Sequence, residues 1–172
     1  METLIAGDTI TVQPWLIPTD AMPVEKTHAD PLLCPASEEE FEWMAYMTGC
    51  RTDWYDLKSL DRFVEVINMT SRNGDWSVIQ SKNLDHRTSG RYVQVMNIGS
   101  AYHVEVASKE DEIIRNWRIG LGTEADDAGN EPYSPAVPTQ QLPFTAVTEV
   151  LDSWLRGHGI PLGYGAALHV YG

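Results

Sequence analysis

Gly90-Arg91-Tyr92-Val93-Gln94-Val95-Met96-Asn97-Ile98-Gly99-Ser100-Ala101-Tyr102-His103-Val104-Glu105-Val106-Ala107 is the stretch whose reading decides the fold. From Arg91 to Asn97 the residues alternate, with Val93 and Val95 opposed to Tyr92, Gln94 and Met96. Asn97-Ile98-Gly99-Ser100 is a tight-turn sequence. From Ala101 to Ala107 the alternation resumes, with Tyr102, Val104 and Val106 on one face and His103 and Glu105 on the other. Successive side chains of a strand point to opposite faces, so this is an antiparallel hairpin with one face buried.

Outward from the hairpin the same period continues. Trp76, Val78 and Gln80 alternate with Ser77, Ile79 and Ser81, and Ile113 to Leu121 supplies a further strand. In the latter, Arg115 shares a face with Ile113, Trp117, Ile119 and Leu121, which leaves its register open. Helical spacing appears on both flanks. Asp56 to Met69 places Leu57, Leu60, Phe63, Val64 and Ile67 on one stripe, and Asn73-Gly74 ends it. Pro143 opens a helix with Phe144, Val147, Val150, Leu151, Trp154 and Leu155 as its apolar face and Thr145, Glu149, Asp152, Ser153 and Arg156 as its polar one. Ser37-Glu38-Glu39-Glu40 carries capping-box chemistry, and Phe41, Met44, Ala45 and Thr48 follow at helical spacing to Gly49, so a helix is expected there too. Ala166 to Tyr171 reads as a terminal strand.

Residues 1–36 form a proline-punctuated arm, broken by Pro14, Pro18, Pro23, Pro31 and Pro35. Residues 37–172 form one domain. The expected architecture is α+β, an antiparallel sheet of about four to six strands packed by two or three helices. The pattern vanishes between Gly122 and Gln141, where Glu124, Asp126, Asp127 and Glu131 accompany several prolines and glycines in a long acidic loop.

The 172 residues carry 25 Asp and Glu against 12 Lys and Arg, a formal charge of −13. Such a balance disfavours nucleic acid and anionic membrane as partners and favours encounter with a basic protein. No apolar run reaches the length of a bilayer span, and no secretory leader is visible at the first residues, so a cytoplasmic protein is expected. Cys34 and Cys50, without CxxC spacing, are expected to be reduced and buried.

Sites that would force an enzymatic reading are missing from the pattern: no Walker loop, nucleophile elbow, dinucleotide glycine pattern or zinc-binding His-Glu-x-x-His. Gly157-His158-Gly159 and Gly163-Tyr164-Gly165 follow a helix and read as cap and turn residues. Glu124, Asp126, Asp127 and Glu131 do not match an EF-hand loop. Arg72, Lys82, Arg87 and Arg91, with His86, form a local basic stretch expected to pair with the chain's own carboxylates. No catalytic residue, metal or cofactor is expected. The alternative is a small metal-dependent or acid/base enzyme using His103 and Glu105, which lie two apart on one strand face.

The order of these features resembles the first numbered family of bacterial polymorphic-toxin immunity proteins, the Imm-one family. The resemblance is carried by a helix followed by Trp76-Ser77-Val78-Ile79-Gln80, then Gly90 to Val95, then Tyr102 to Val106. A proline-rich loop and Gln141-Leu142-Pro143 follow, leading into the helix that ends Trp154-Leu155-Arg156-Gly157-His158-Gly159-Ile160-Pro161. The long N-terminal arm and the ending Leu168-His169-Val170-Tyr171 depart from that pattern. Membership would imply a protein that binds and neutralises a cognate toxin, commonly a nuclease or nucleic-acid deaminase, with no catalytic residues of its own. The charge suggests how: an acidic loop can plug a basic substrate cleft. Glu124, Asp126, Asp127 and Glu131 are the expected contact, with Tyr133 as aromatic anchor. This expectation requires those carboxylates to be accessible rather than neutralised internally.

Overall fold

A computed structural model describes residues 39–172 and, before them, only the backbone of a two-stranded pair, β1 (Thr3–Leu4) and β2 (Thr11–Val12). The remainder of the arm expected over 1–36, with Cys34, lies outside the described residues. The main elements are β3 (Phe41–Met47), β4 (Cys50–Arg51), β5 (Tyr55–Asp56), α1 (Leu60–Met69), β6 (Trp76–Ser81), β7 (Ser89–Asn97), β8 (Tyr102–Glu110), β9 (Ile113–Leu121), α2 (Phe144–Leu155) and β10 (Tyr164–Tyr171). They build one antiparallel sheet in the order β10-β9-β8-β7-β6-β3-β4, with β5 also on β3. The fold is α+β as expected, but the sheet has eight strands rather than four to six, with two α-helices among the described residues.

Both helices lie on one face. Val93, Val95, Val104, Val106, Trp117, Ile119 and Ile79 meet Phe63 and Ile67 of α1 and Val147, Val150, Leu151 and Trp154 of α2 in a single core. The central hairpin pairs Val93 with Val106 and Val95 with Val104, the register its alternation demands. Arg115 sits on the same face as Trp117 but near the strand's end, where it reaches Glu110 at 3.4 Å. Leu151 is fully buried, so Leu151→Ala is expected to cost about 2–5 kcal/mol in chemical denaturation, through lost burial and the cavity left behind.

The expected helix after Ser37 is a strand. In β3, Trp43 and Ala45 point into the core while Met44 is buried on the opposite face, a period of two that the helical spacing of Phe41, Met44, Ala45 and Thr48 concealed. Pairing with β6 supplies the backbone partners, and the glutamates are used elsewhere. Glu39 receives the Nε–H of Arg91 at 2.8 Å, and Glu42 accepts from the Gln80 amide at 2.9 Å. The second expected helix is present but shorter, starting at Leu60 behind the capping hydroxyl of Ser59 instead of at Asp56.

Helix α2 begins after Pro143 as its sequence indicates, but its polar face is not all surface. Asp152 and Ser153 are buried, the first bonded to Arg156 at 2.9 Å and the second to the Gly159 carbonyl at 2.8 Å. Gly157 and Gly159 take positive φ, completing the helix end as expected of cap residues. The basic stretch does pair internally at Arg91–Glu39 and at Lys82–Asp56, 3.0 Å. Cys50 is exposed rather than buried, because it opens the short outer strand β4, beyond the reach of the core.

Candidate functional site

The sheet face turned away from α1 and α2 carries the polar and aromatic alternates of every strand, and the register lines them up in rows. One row runs Tyr46, Trp76, Met96, His103. The next runs Met44, Val78, Gln94, Glu105, Arg118, Ala167. A third runs Glu42, Gln80, Tyr92, Ala107, Asn116, His169. Residues far apart in the chain thus become nearest neighbours.

At the β8–β9 end, Glu105 is the hub. Its Oε1 accepts from His103 Nε2 at 2.9 Å and from Arg118 Nε and Nη2, both at 3.2 Å, and its Oε2 accepts from the Asn116 amide at 3.1 Å. Burial by itself would push this carboxyl up. The hydrogen bond and charge of His103, the charge of Arg118 and the Asn116 bond outweigh it and bring the pKa down to about 2. Glu105 is therefore ionised and accepts the Nε2–H of His103.

The acidic loop is an ordered cover, not a structureless excursion. It contains two 3-10 turns, Thr123–Asp127 and Pro138–Gln140. The buried Asn130 amide donates to Asn116 Oδ1 at 3.0 Å and to the Ala167 carbonyl at 2.9 Å. Buried Gln140 donates to the Gly129 carbonyl at 2.9 Å. Arg118 Nη1 reaches the Ser134 hydroxyl at 3.0 Å and so joins the loop to the Glu105 hub. The loop also rides close against β10. A Cβ on Gly165 would come within 2.5 Å of the Gly122 carbonyl oxygen, so only glycine fits there.

The expected contact residues divide. Glu124, Asp127 and Glu131 are exposed. Asp126 is half-buried, and its carboxylate accepts the Ala166 backbone N–H at 2.7 Å, so it serves the fold. Tyr133 is wholly exposed and holds a left-handed backbone with φ 64°. A large side chain in that conformation is costly and is kept where surrounding structure enforces it. Pro132, Tyr133 and Pro135 overhang a cavity of about 530 Å³ whose floor includes Gln94, Met96, His103 and Tyr171. Gln94 is shared with a second hollow of about 400 Å³ lined by Trp54, Trp76, Tyr92 and Met44.

His103 and Glu105 are brought together as their spacing indicates, but their chemistry is constrained. Both oxygens of Glu105 already accept hydrogen bonds, and its low pKa makes it a weak base. Among the described residues no three His, Cys, Asp or Glu side chains gather as metal ligands. Sequence reasoning did not find Arg118, Asn116, Asn130 or Tyr171. A signal existed for two of them: Asn116 and Arg118 are the polar alternates to Arg115, Trp117 and Ile119 on β9, and a buried carboxylate on β8 requires donors across the register. Comparison with protein-family models, with curated proteins and with solved structures gives no match.

Proposed function

We propose that this chain binds a basic protein, and that the partner is a toxin domain acting on nucleic acid whose cleft the acidic loop blocks. The observation that carries the reading is the loop's construction. Glu124, Asp127 and Glu131 face solvent around a fully exposed Tyr133, while Asn130, Gln140 and Arg118 pin the segment from beneath. A surface ordered beforehand avoids the entropic cost of ordering on binding. Exposed carboxylates on a body of charge −13 steer a basic partner toward it. An exposed aromatic on an ordered segment is the type of residue that dominates binding energy once buried by a partner. The resemblance to the Imm-one family, the open sheet face and the lack of a membrane-length apolar helix among the described residues are compatible with this role.

The test starts from the gene neighbourhood, where this reading requires a toxic domain to be encoded beside this chain's gene. Co-expression of the chain is expected to restore growth of cells making that domain. In stopped-flow binding, Glu124→Gln with Asp127→Asn and Glu131→Gln should slow association at low salt by about 10- to 100-fold and flatten the salt dependence. Tyr133→Ala should speed dissociation by about 30-fold. Association that responds to salt as before the charge removal would sink the loop as the contact, and failure to protect would sink the toxin reading.

A second reading rests on the cavity lined by His103 and Tyr171. An imidazole hydrogen-bonded to a carboxylate is an acid/base arrangement. His103→Ala then abolishes a turnover while leaving association with the toxin domain intact.

A further inference from the structure

We propose that two copies of this chain pair through their β10 strands, edge to edge and antiparallel, with the twofold axis passing beside His169. The two ends of the sheet differ in how they are closed. At one end the chain returns along β3 as β4 and β5, broken between them at Thr52–Trp54, where the Thr52 hydroxyl substitutes for a backbone acceptor by taking the Ala45 N–H at 3.0 Å. That outer edge is short and carries Arg51, Asp53 and Asp56, the devices that keep strands apart. At the other end, the last strand among the described residues is β10, eight residues without a proline or a Lys, Arg, Asp or Glu.

Its first half is occupied. Asp126 takes the N–H of Ala166, and the turn Thr123–Asp127 leans on Gly165. That bond also reports direction: Ala166 points its amide off the sheet, so by the two-residue period Leu168 and Val170 point their amides and carbonyls off the sheet as well. In this second half the side chains are exposed, Leu168 to 40%, Val170 to 52% and Tyr171 to 40%. An uncharged edge segment with outward backbone groups, even one as short as Leu168–Tyr171, is a template for another strand.

The self-match is specific. With the axis at His169, Leu168 of one copy lies opposite Val170 of the other, and the reverse. Both positions are outward-pointing, so each pair exchanges two backbone hydrogen bonds, and the Leu and Val side chains pack on one face. Pairing stops where Asp126 already holds Ala166. The strand itself brings no charged side chain to the contact, although two bodies of −13 still repel on approach. Residual repulsion acts over the Debye length, about 8 Å at physiological salt. Dimerisation therefore strengthens with salt, opposite in sign to the basic-partner binding proposed above.

Sedimentation of the full chain tests this, over about 10 μM to about 1 mM, the range suited to an interface at the small end of specific contacts. A monomer–dimer equilibrium is expected, shifting to dimer as salt rises. Val170→Pro deletes an outward donor without touching the β9 ladder. Leu168→Lys adds charge to the edge. Each should give monomer with an unchanged near-ultraviolet spectrum, while Met69→Lys, on an exposed site of α1, leaves the dimer intact. Amide exchange at Leu168 and Val170 should be fast in dilute protein and slow in concentrated protein. A monomer throughout, or a dimer indifferent to both edge substitutions, overturns the proposal. Slow exchange of those amides in the dilute monomer also overturns it, since the chain's own residues before Glu39 would then hold the edge.

Discussion

Arg91→Leu is expected to lower the free energy of unfolding by about 3–5 kcal/mol, the cost of stripping one partner from a buried charged network. The side chain is 1% exposed. Its Nε donates to Glu39 at 2.8 Å, its Nη1 to the Trp154 carbonyl at 2.7 Å, and its Nη2 to the Leu155 carbonyl at 3.4 Å. The guanidinium also lies 4.4 Å from the Trp154 ring centroid and 5.3 Å from that of Phe41. It thus satisfies the last carbonyls of α2, places positive charge at the negative end of the helix dipole, and ties that helix to the chain entering β3. Leucine fills the volume but removes the charged donor from the Glu39 carboxylate and from the Trp154 and Leu155 carbonyls, leaving Glu39 only the Ser81 hydroxyl and Trp154 only the Gly157 N–H among the described residues. Arg91→Lys is not conservative here, because an ammonium cannot hold the fork and the ring contact together. Urea denaturation checks this: the midpoint should fall with an unchanged slope. Arg91→Leu combined with Glu39→Leu should cost less than the sum of the single changes, since no charge is then stranded. Strict additivity would show that the two groups act separately.

Acid is expected to remove about 3 kcal/mol of stability through Glu105 alone. Its carboxyl is held at about 2, against an ordinary 4.5, and a gap of that size converts to the stated energy as an order of magnitude. Because the folded pKa is the lower one, the contribution is complete above the ordinary value. It declines as pH falls below about 4.5 and is gone below about 2, when both states bind the proton. Stability measured by denaturation from pH 6 to pH 2 should fall across that window. Glu105→Gln should flatten the fall and cost about 3–5 kcal/mol at neutral pH, because Arg118, 3% exposed, then lacks its carboxylate. An undiminished pH dependence in that variant would assign the acid sensitivity to other carboxylates. The substitution also loosens the loop, since Arg118 bridges Glu105 to Ser134.

Both networks show what one-dimensional reading reaches. Val93, Val95, Val104 and Val106 declare their pairing because a strand's alternation is a property of backbone geometry and survives in the residue order. Asp56 through Met69 and Pro143 through Leu155 declare helices for the same local reason, although the first starts four residues later, at Leu60. The segment 41–47 does not. Its Phe, Trp, Met, Ala and Tyr satisfy either period, and preceding glutamates imitate a helix start. Only the unpaired edge of β6 resolves the ambiguity, by offering partners to an extended backbone.

The residues alone thus determined the central hairpin, the apolar stripes of α1 and α2, the acidic balance, and the adjacency of His103 to Glu105. The tertiary structure decided that Glu39 belongs to Arg91, that Asp126 supports β10 while Glu124, Asp127 and Glu131 stay in solvent, and that Arg118, Asn116 and Asn130 converge beneath the loop. The division is physical. Periodicity follows from dihedral angles a few residues long, whereas the partner of a buried charge follows from strand order and register across the whole sheet, which no short window contains.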